Sequence, residues 1–379
     1  MGNKIRVGLV YGGRSGEHEV SLQTALAVSK AFDYDKYELI PFYITAKGQW
    51  RPGPALAAPP SAVAELRFAP AATVAAGDDA GDSAGNALLP VLSGIMDSAV
   101  TAGEEGVAAI DVMFPLLHGT FGEDGTIQGL FEMAGVPYVG AGVLASSVGM
   151  DKVAMKTMFA HAGLPQVAYR HFVRHEWKKD RERVLAGVEE LGYPSFVKPA
   201  NLGSSVGVSK ARNRAELIAA IEEALRFDRK VIVEEFVDAR EIEVSVLGND
   251  EPRASVPGEV CSSNEFYDYK AKYVDGKSAM VIPAEIPPET ANEVRAMAVR
   301  AFRAIDNSGL CRADFFLRRG DGKLFINEVN TMPGFTPFSM YPLMWKETGV
   351  SYRELLDELI RLAIERHAER QSLEYGGGE

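Results

Sequence analysis

Cysteine is nearly absent. Cys261 and Cys311 are the two thiols in a chain of 379 residues. They lie far apart, which gives neither a disulfide framework nor metal-knuckle spacing and fits a reducing compartment. No apolar run approaches the roughly 18 residues that a membrane-spanning helix needs. The opening residues lead straight into a strand-like segment without a signal-type apolar stretch, so the expectation is a cytoplasmic protein. Basic residues are in deficit, with 40 Lys and Arg against 52 Asp and Glu and a net charge of −12. That balance excludes nucleic acid or an anionic membrane surface as the main partner, while leaving room for local phosphate sites. Two nucleotide-loop signatures are also missing. Gly12-Gly13-Arg14-Ser15-Gly16 is not Gly-x-Gly-x-x-Gly, and the second strand ends Tyr43-Ile44-Thr45 without an acidic ribose ligand. A dinucleotide-binding oxidoreductase or a non-catalytic nucleotide-binding sensor is therefore the remote alternative. The Gly/Ser loop near residue 203 lacks Gly-Lys-Ser/Thr, which excludes a Walker A loop.

Apolar residues make up 46% of the chain, enough for real cores, and the length suits two or three domains. Strand-like runs at 5–11, 37–45, 111–117 and 136–139 alternate with helical periodicity at 19–32 and 126–134, the pattern of a parallel α/β sheet. Residues 52–106 are rich in Ala, Gly, Pro, Ser and Asp and read as a surface insertion, partly mobile, with no chemistry of their own. Helices are expected at 151–161, 215–225 and 288–305. Strands are expected at 195–199, 230–237, 241–247 and 253–260, and a hairpin spans 311–330. Ser351 and Glu354 form a capping box for a last helix that ends near 369, and the tail is expected to fray.

The hairpin carries the strongest chemical signal. Side chains alternate faces along a strand. Arg312 and Asp314 therefore share one face, as do Glu328 and Asn330 on the return strand, with Asn327 and Val329 opposite. If Asp314 faces Glu328, then Arg312 faces Asn330 and all four converge. Two carboxylates and an amide oxygen make a hard-oxygen Mg²⁺ site, and the guanidinium beside them suits phosphoryl transfer. One charge on a strand reads as solvated surface; four with matching parity read as a site. Lys198, at a strand end before the loop Ala200 to Gly207, suits phosphate oxygens. Glu234 and Glu235, leading to Glu241, offer acceptors for an adenine amino group and ribose hydroxyls. The loop at 262–280 has several aromatic rings and lysines but no period, which suits a lid over a water-sensitive intermediate.

In their order and spacing these segments resemble the ATP-grasp superfamily, and more narrowly the D-alanine–D-alanine ligase family. The motifs are Gly12-Gly13-Arg14-Ser15-Gly16-Glu17-His18-Glu19-Val20-Ser21 and His118-Gly119 with Gly122-Glu123-Asp124-Gly125-Thr126-Ile127-Gln128-Gly129. Met150-Asp151-Lys152, Gly203-Ser204-Ser205-Val206-Gly207, Tyr267 to Tyr273, and Glu328-Val329-Asn330-Thr331-Met332-Pro333-Gly334 follow. Ala200-Asn201-Leu202 and Met340 depart from the usual residues of that family without removing a catalytic group.

The resemblance implies an ATP-grasp fold, α/β and α+β. An N-terminal parallel α/β domain (1–140) would precede a central subdomain (141–234) and a C-terminal subdomain (235–369). It implies ATP-dependent joining of two D-alanine molecules through an acyl phosphate, for peptidoglycan synthesis, with two Mg²⁺ (or Mn²⁺) ions and a homodimer. D-lactate or D-serine as second substrate is the nearer alternative, and Tyr273 resembles the alanine-adding branch. Lys152, Lys198, Ser204, Ser205, Lys272, Asn327 and Glu328 would contact ATP. Glu234, Glu235 and Val237 would line the adenine pocket, Glu241 would meet the ribose, and Asp314, Glu328 and Asn330 would hold the metals. Glu17 would fix the first ammonium in a set with Ser204 and Tyr273, beside His118. Arg312 and the Gly334 N–H would stabilise the oxyanion, and Ser339 with the Met340 N–H would hold the second carboxylate. Arg312→Ala and Asp314→Ala are expected to abolish turnover with little loss of fold.

Overall fold

The structure is a computed structural model that describes residues 4–69, 110–204, 206–261 and 279–374. The expected lid, most of the insertion and Ser205 lie outside the described residues.

Strand β1 (Ile5–Gly12) is apolar on both faces because it is the inner strand of a parallel sheet. It pairs in parallel with β2 (Tyr37–Ile44) and β4 (Val112–Pro115), while β3 (Trp50–Pro52) adds an antiparallel edge to β2. The helix His18–Ala31 crosses between β1 and β2. Gly12, at φ +92°, makes the turn out of β1; a Cβ there would lie 2.1 Å from the Ile44 carbonyl oxygen, so no other residue fits. The run at 136–139 expected as a strand contributes a single parallel bridge, Met113 to Tyr138.

The start of the expected insertion is packed. Leu56 bridges Leu39, Leu66 is fully buried, and the Tyr11 hydroxyl donates to the Leu66 carbonyl at 2.9 Å.

Helices Val143–Met150 and Lys152–His161 meet at Asp151, whose Oδ1 accepts from the Val153 and Ala154 amides at 3.0 and 3.1 Å. The central sheet runs β5-β8-β6-β7, built from β5 (Tyr169–Val173), β6 (Ser195–Pro199), β7 (Ser209–Ala211) and β8 (Lys230–Glu235). Phe172, Val197, Val231 and Val233 pack against helices Arg181–Glu189 and Arg214–Phe227. The opposite parity, Phe196 and Lys198 on β6 with Ile232 and Glu234 on β8, faces away from those helices.

The third sheet runs β12-β11-β9-β13-β14, with β10 (Arg253–Ala254) off β9 (Ala239–Gly248). The strand expected at 253–260 is in fact two, β10 and β11 (Gly258–Cys261), parted at Pro257. Met280, expected in the lid, sits in β12 (Ala279–Val281). Strand β13 (Gly309–Arg318) lies between β9 and β14 (Leu324–Asn330). Ile242, Val244, Ala313 and Phe315 pack with Val294, Met297 and Phe302 of helix Pro288–Ala304. Helices Met340–Glu347 and Tyr352–Gln371 follow, the second with the predicted Ser351/Glu354 capping box.

Candidate active site

The register of β13 on β14 is Arg312↔Asn330, Ala313↔Val329 and Asp314↔Glu328, as parity requires. These polar side chains share their face with Glu241 and Glu243 of β9. The face looks into a cleft of about 810 Å³ whose other walls come from the central sheet and from the loops after β1 and β4. Below Asp314 the pairing slips by one, and Phe315 faces Ile326. Asn327 is the extra residue of that bulge. Ile326 and Val329 both enter the core, and Asn327 lines the cleft beside Glu328. Strict alternation put Asn327 on the opposite face; the bulge reverses that expectation.

Arg312 is clamped. Its Nε and Nη2 donate to the two oxygens of Asp314, both at 2.7 Å, and Nε lies 3.1 Å from Glu243. Burial alone would lower its affinity for the proton, but Asp314 and Glu243 outweigh burial and raise it well above the usual range. Asn330 gives its Nδ2 to Asp314 at 2.9 Å, so its carbonyl oxygen is not spent on that pair. Two carboxylates and an amide oxygen on one sheet face fit a hard divalent cation. Among the described residues no three His, Cys, Asp or Glu side chains gather within metal-binding range.

Lys152 donates to the Leu202 carbonyl at 2.9 Å and lies 3.6 Å from Glu328. Lys198 lies 2.5 Å from Glu234, which also meets Lys156 at 2.7 Å. Burial pushes the Glu234 carboxyl up, but the two ammonium groups outweigh it and hold it well below the usual carboxylate range. Glu235 accepts from the Ala168 amide at 2.8 Å, and Glu235, Val237 and Glu241 all reach the cleft wall.

At the other end, Glu17 accepts a short hydrogen bond from the Ser204 hydroxyl, and Ser204 takes the left-handed backbone at φ +52°. Gly119 lies so close that a Cβ there would sit 2.7 Å from Glu17 Oε2. His118 is buried between the Met332 carbonyl, 3.2 Å from Nδ1, and the Thr24 hydroxyl, 3.3 Å from Nε2. Burial pushes its pKa down, against the nearby Glu17 carboxylate and the Met332 carbonyl, which favour the charged form. Gly334, Ser339 and Met340 line the same end. Ser339 precedes helix Met340–Glu347 but does not cap it, because its Oγ accepts from Thr336 N at 3.1 Å. Pro342 has no N–H, which leaves the Met340 and Tyr341 amides as the first-turn donors for an anion.

All the expected site residues within the described part therefore border one cleft. Ser205, Lys272 and Tyr273 are not among the described residues. Three partners were not assigned from sequence. Glu123 accepts from Gly119 N at 2.7 Å and Met332 N at 3.1 Å, tying the loop after β4 to the loop before Gly334. Burial first, then the nearby Glu17, pushes its carboxyl up to about 8. Lys156 backs Glu234, and Glu243 backs Arg312. Glu243 had a legible signal, sharing parity with Glu241; the partners of Glu123 and Lys156 are too distant in sequence to suggest themselves.

Comparison with known proteins agrees over nearly the whole chain. The model for the D-ala D-ala ligase N-terminus matches residues 6–141, and that for the D-ala D-ala ligase C-terminus matches 158–361. A D-alanine–D-alanine ligase of Bacillus cytotoxicus is 56% identical over 375 residues, covering 98% of this chain and 99% of its own. The Listeria monocytogenes enzyme of that name is 52% identical over 377 residues, with the same shares. Among solved structures, the D-alanine-D-alanine ligase from Coxiella burnetii superimposes with a TM-score of 0.78 at 32% identity, covering 98% of this chain and 97% of its own. The VanG D-Ala:D-Ser ligase from Enterococcus faecalis also reaches 0.78, at 33% identity, covering 95% and 100%.

Proposed function

The chain belongs to the D-alanine–D-alanine ligase family and has its ATP-grasp fold, and from that membership we propose how its own residues join two D-alanine molecules at the expense of ATP. The observation that carries the reading is the β13–β14 register, which turns Arg312, Asp314, Glu328 and Asn330 into the cleft that Glu17 and Lys198 also border. Nucleotide phosphates would draw Lys152 and Lys198 away from Glu328 and Glu234, while adenine lies against Glu234, Glu235 and Val237. Asp314, Glu328 and Asn330 would hold Mg²⁺, two ions by the family resemblance, which when bound neutralises charge on the transferring phosphoryl group.

Glu17, held by Ser204, receives the ammonium of the first D-alanine, and its carboxylate attacks the γ-phosphorus to give an acyl phosphate and ADP. His118, whose burial disfavours the charged form, stands beside that carboxylate. The Met340 N–H at the start of helix Met340–Glu347, with Ser339, receives the second carboxylate. The second D-alanine, as its neutral amine, attacks the acyl carbon, Arg312 and the Gly334 N–H hold the oxyanion, and phosphate departs with the proton the amine gives up as the peptide bond forms. The product suits peptidoglycan assembly in the cytoplasm, by a homodimer. No helix among the described residues is long and apolar enough to cross a membrane.

The test is phosphate release from MgATP with D-alanine alone, with L-alanine, and with D-alanine paired with D-serine or D-lactate. Turnover with D-alanine alone and none with L-alanine is expected. Turnover only with a mixed pair would keep the mechanism and change the second substrate. Silence with every pair would overturn the reading.

A further inference from the structure

Lys156 has no task in the reaction above, yet it is charged and only 1% exposed. It lies one turn after Lys152 on helix Lys152–His161 and does not border the cleft. Its ammonium stands 2.7 Å from Oε1 of Glu234 and 5.6 Å from the centroid of the Tyr169 ring. The approach is poorly aimed for a hydrogen bond, so the two groups meet as charges. Lys198 stands at the other oxygen of Glu234, on the cleft side. One carboxylate thus lies between two lysines, one facing the ligand space and one behind it.

Taking an ammonium out of water is costly, and an aliphatic side chain would fill the site at lower cost if packing were all it did. Counting Glu234 and its two lysines alone, one positive charge is in excess, and Lys198 also feels Glu328 and Glu241. The excess disappears when Lys198 turns to an anionic ligand, because Lys156 remains. Without Lys156, Glu234 is left buried without a counter-charge once Lys198 turns to the phosphates, and it takes up a proton. A protonated carboxyl no longer offers two acceptor oxygens to an amino group.

We propose that Lys156 is a positioning residue for base recognition: it keeps Glu234 an anionic acceptor for the 6-amino group of adenine while Lys198 serves the phosphates. The inference rests on the proposed roles of Glu234 and Lys198 in ATP binding. The low pKa of Glu234 agrees with it but does not carry it.

The experiment compares MgATP with the triphosphate of purine riboside, which lacks the 6-amino group, in full-length wild type, K156M and K156R, by phosphate release with D-alanine. Wild type should favour ATP by about tenfold in kcat/KM, the size of one hydrogen bond to a charged group. In K156M the KM for ATP should rise about tenfold with kcat within about threefold, while the KM for the analogue barely moves, so the preference collapses. K156R should restore most of it. An equal loss with both nucleotides, or an unchanged preference in K156M, would show a structural role only and overturn the proposal. Indifference of the wild type to the amino group would instead remove the adenine role of Glu234, and the proposal with it. If K156M does not fold, K156Q, which lacks the charge but keeps a donor, carries the same comparison.

Discussion

Arg312 does two jobs that its substitution cannot separate. It neutralises Asp314 and Glu243 on the sheet face and, in the proposed reaction, holds an oxyanion. Removing one member of a buried ion pair leaves the other charge uncompensated, at about 3–5 kcal/mol. Arg312→Ala should therefore abolish turnover and also lower the urea midpoint, whereas parity alone suggested little loss of fold. Asp314→Asn, which keeps an acceptor for the guanidinium, should lose turnover with a much smaller change in midpoint. Equal midpoints for Arg312→Ala and wild type would refute the clamp. Glu123 makes a second prediction, through pH. Its carboxyl is raised to about 8 by burial and then by Glu17, so the folded state keeps a proton that the unfolded chain gives up near the ordinary carboxylate value of 4.5. Between those limits the folded state binds more protons, and its stability falls as pH rises, levelling off above about 8. In Glu123→Gln that slope should vanish. The melting temperature of wild type relative to Glu123→Gln should fall from pH 5 to 8 and then level off; a constant difference would contradict it.

The hairpin β13–β14 shows how far local chemistry reaches. Arg312, Asp314, Glu328 and Asn330 were legible because alternation and cross-strand pairing are set by the strands themselves. Asn327 was not, since alternation has no means of announcing a bulge. Helices 143–150, 174–179, 181–189 and 340–347 also escaped the sequence reading, being short and lacking a clear one-sided apolar period. Lys156 and Glu123 stayed hidden for another reason. Glu123 lies 209 positions from Met332, and only the closed fold brings them together. The bulge makes a sharp prediction. Deleting Asn327 leaves Ile326 facing Phe315 and Glu328 facing Asp314 in a regular ladder, so the face proposed to hold metal survives. The deletion should melt within a few degrees of wild type and raise the KM for ATP as much as Asn327→Ala does. Loss of all activity together with the fold would mean that the extra residue sets the register.

The largest hydrophobic cluster ignores the order of the chain. Val7, Leu9 and Phe114 of the first sheet share it with Tyr341, Trp345, Leu355 and Leu359 of the last two helices. Polar ties follow the same path. Asp357 accepts from Tyr37 at 2.8 Å and from Lys36 at 2.9 Å, and Arg366 donates to the Gly140 carbonyl and, at 3.0 Å, to the Tyr138 carbonyl. The central sheet has a separate cluster around Val197, Leu217 and Val233, and a small apolar group (Val153, Ala200 and Ile232) connects it to helix Lys152–His161. Residues that share a core unfold together, and those with their own core can open alone. Hydrogen exchange in rising urea should therefore show Ile5–Gly12 and Tyr352–Gln371 opening in one step, though they stand at opposite ends of the chain. Arg181–Glu189 and Arg214–Phe227 should open in another, at lower free energy because their core is smaller. If MgATP binds between the central and third sheets as proposed, it should raise that second step toward the first. Separate opening of the two chain ends would break the shared-core argument, and a central step unmoved by MgATP would place the nucleotide elsewhere.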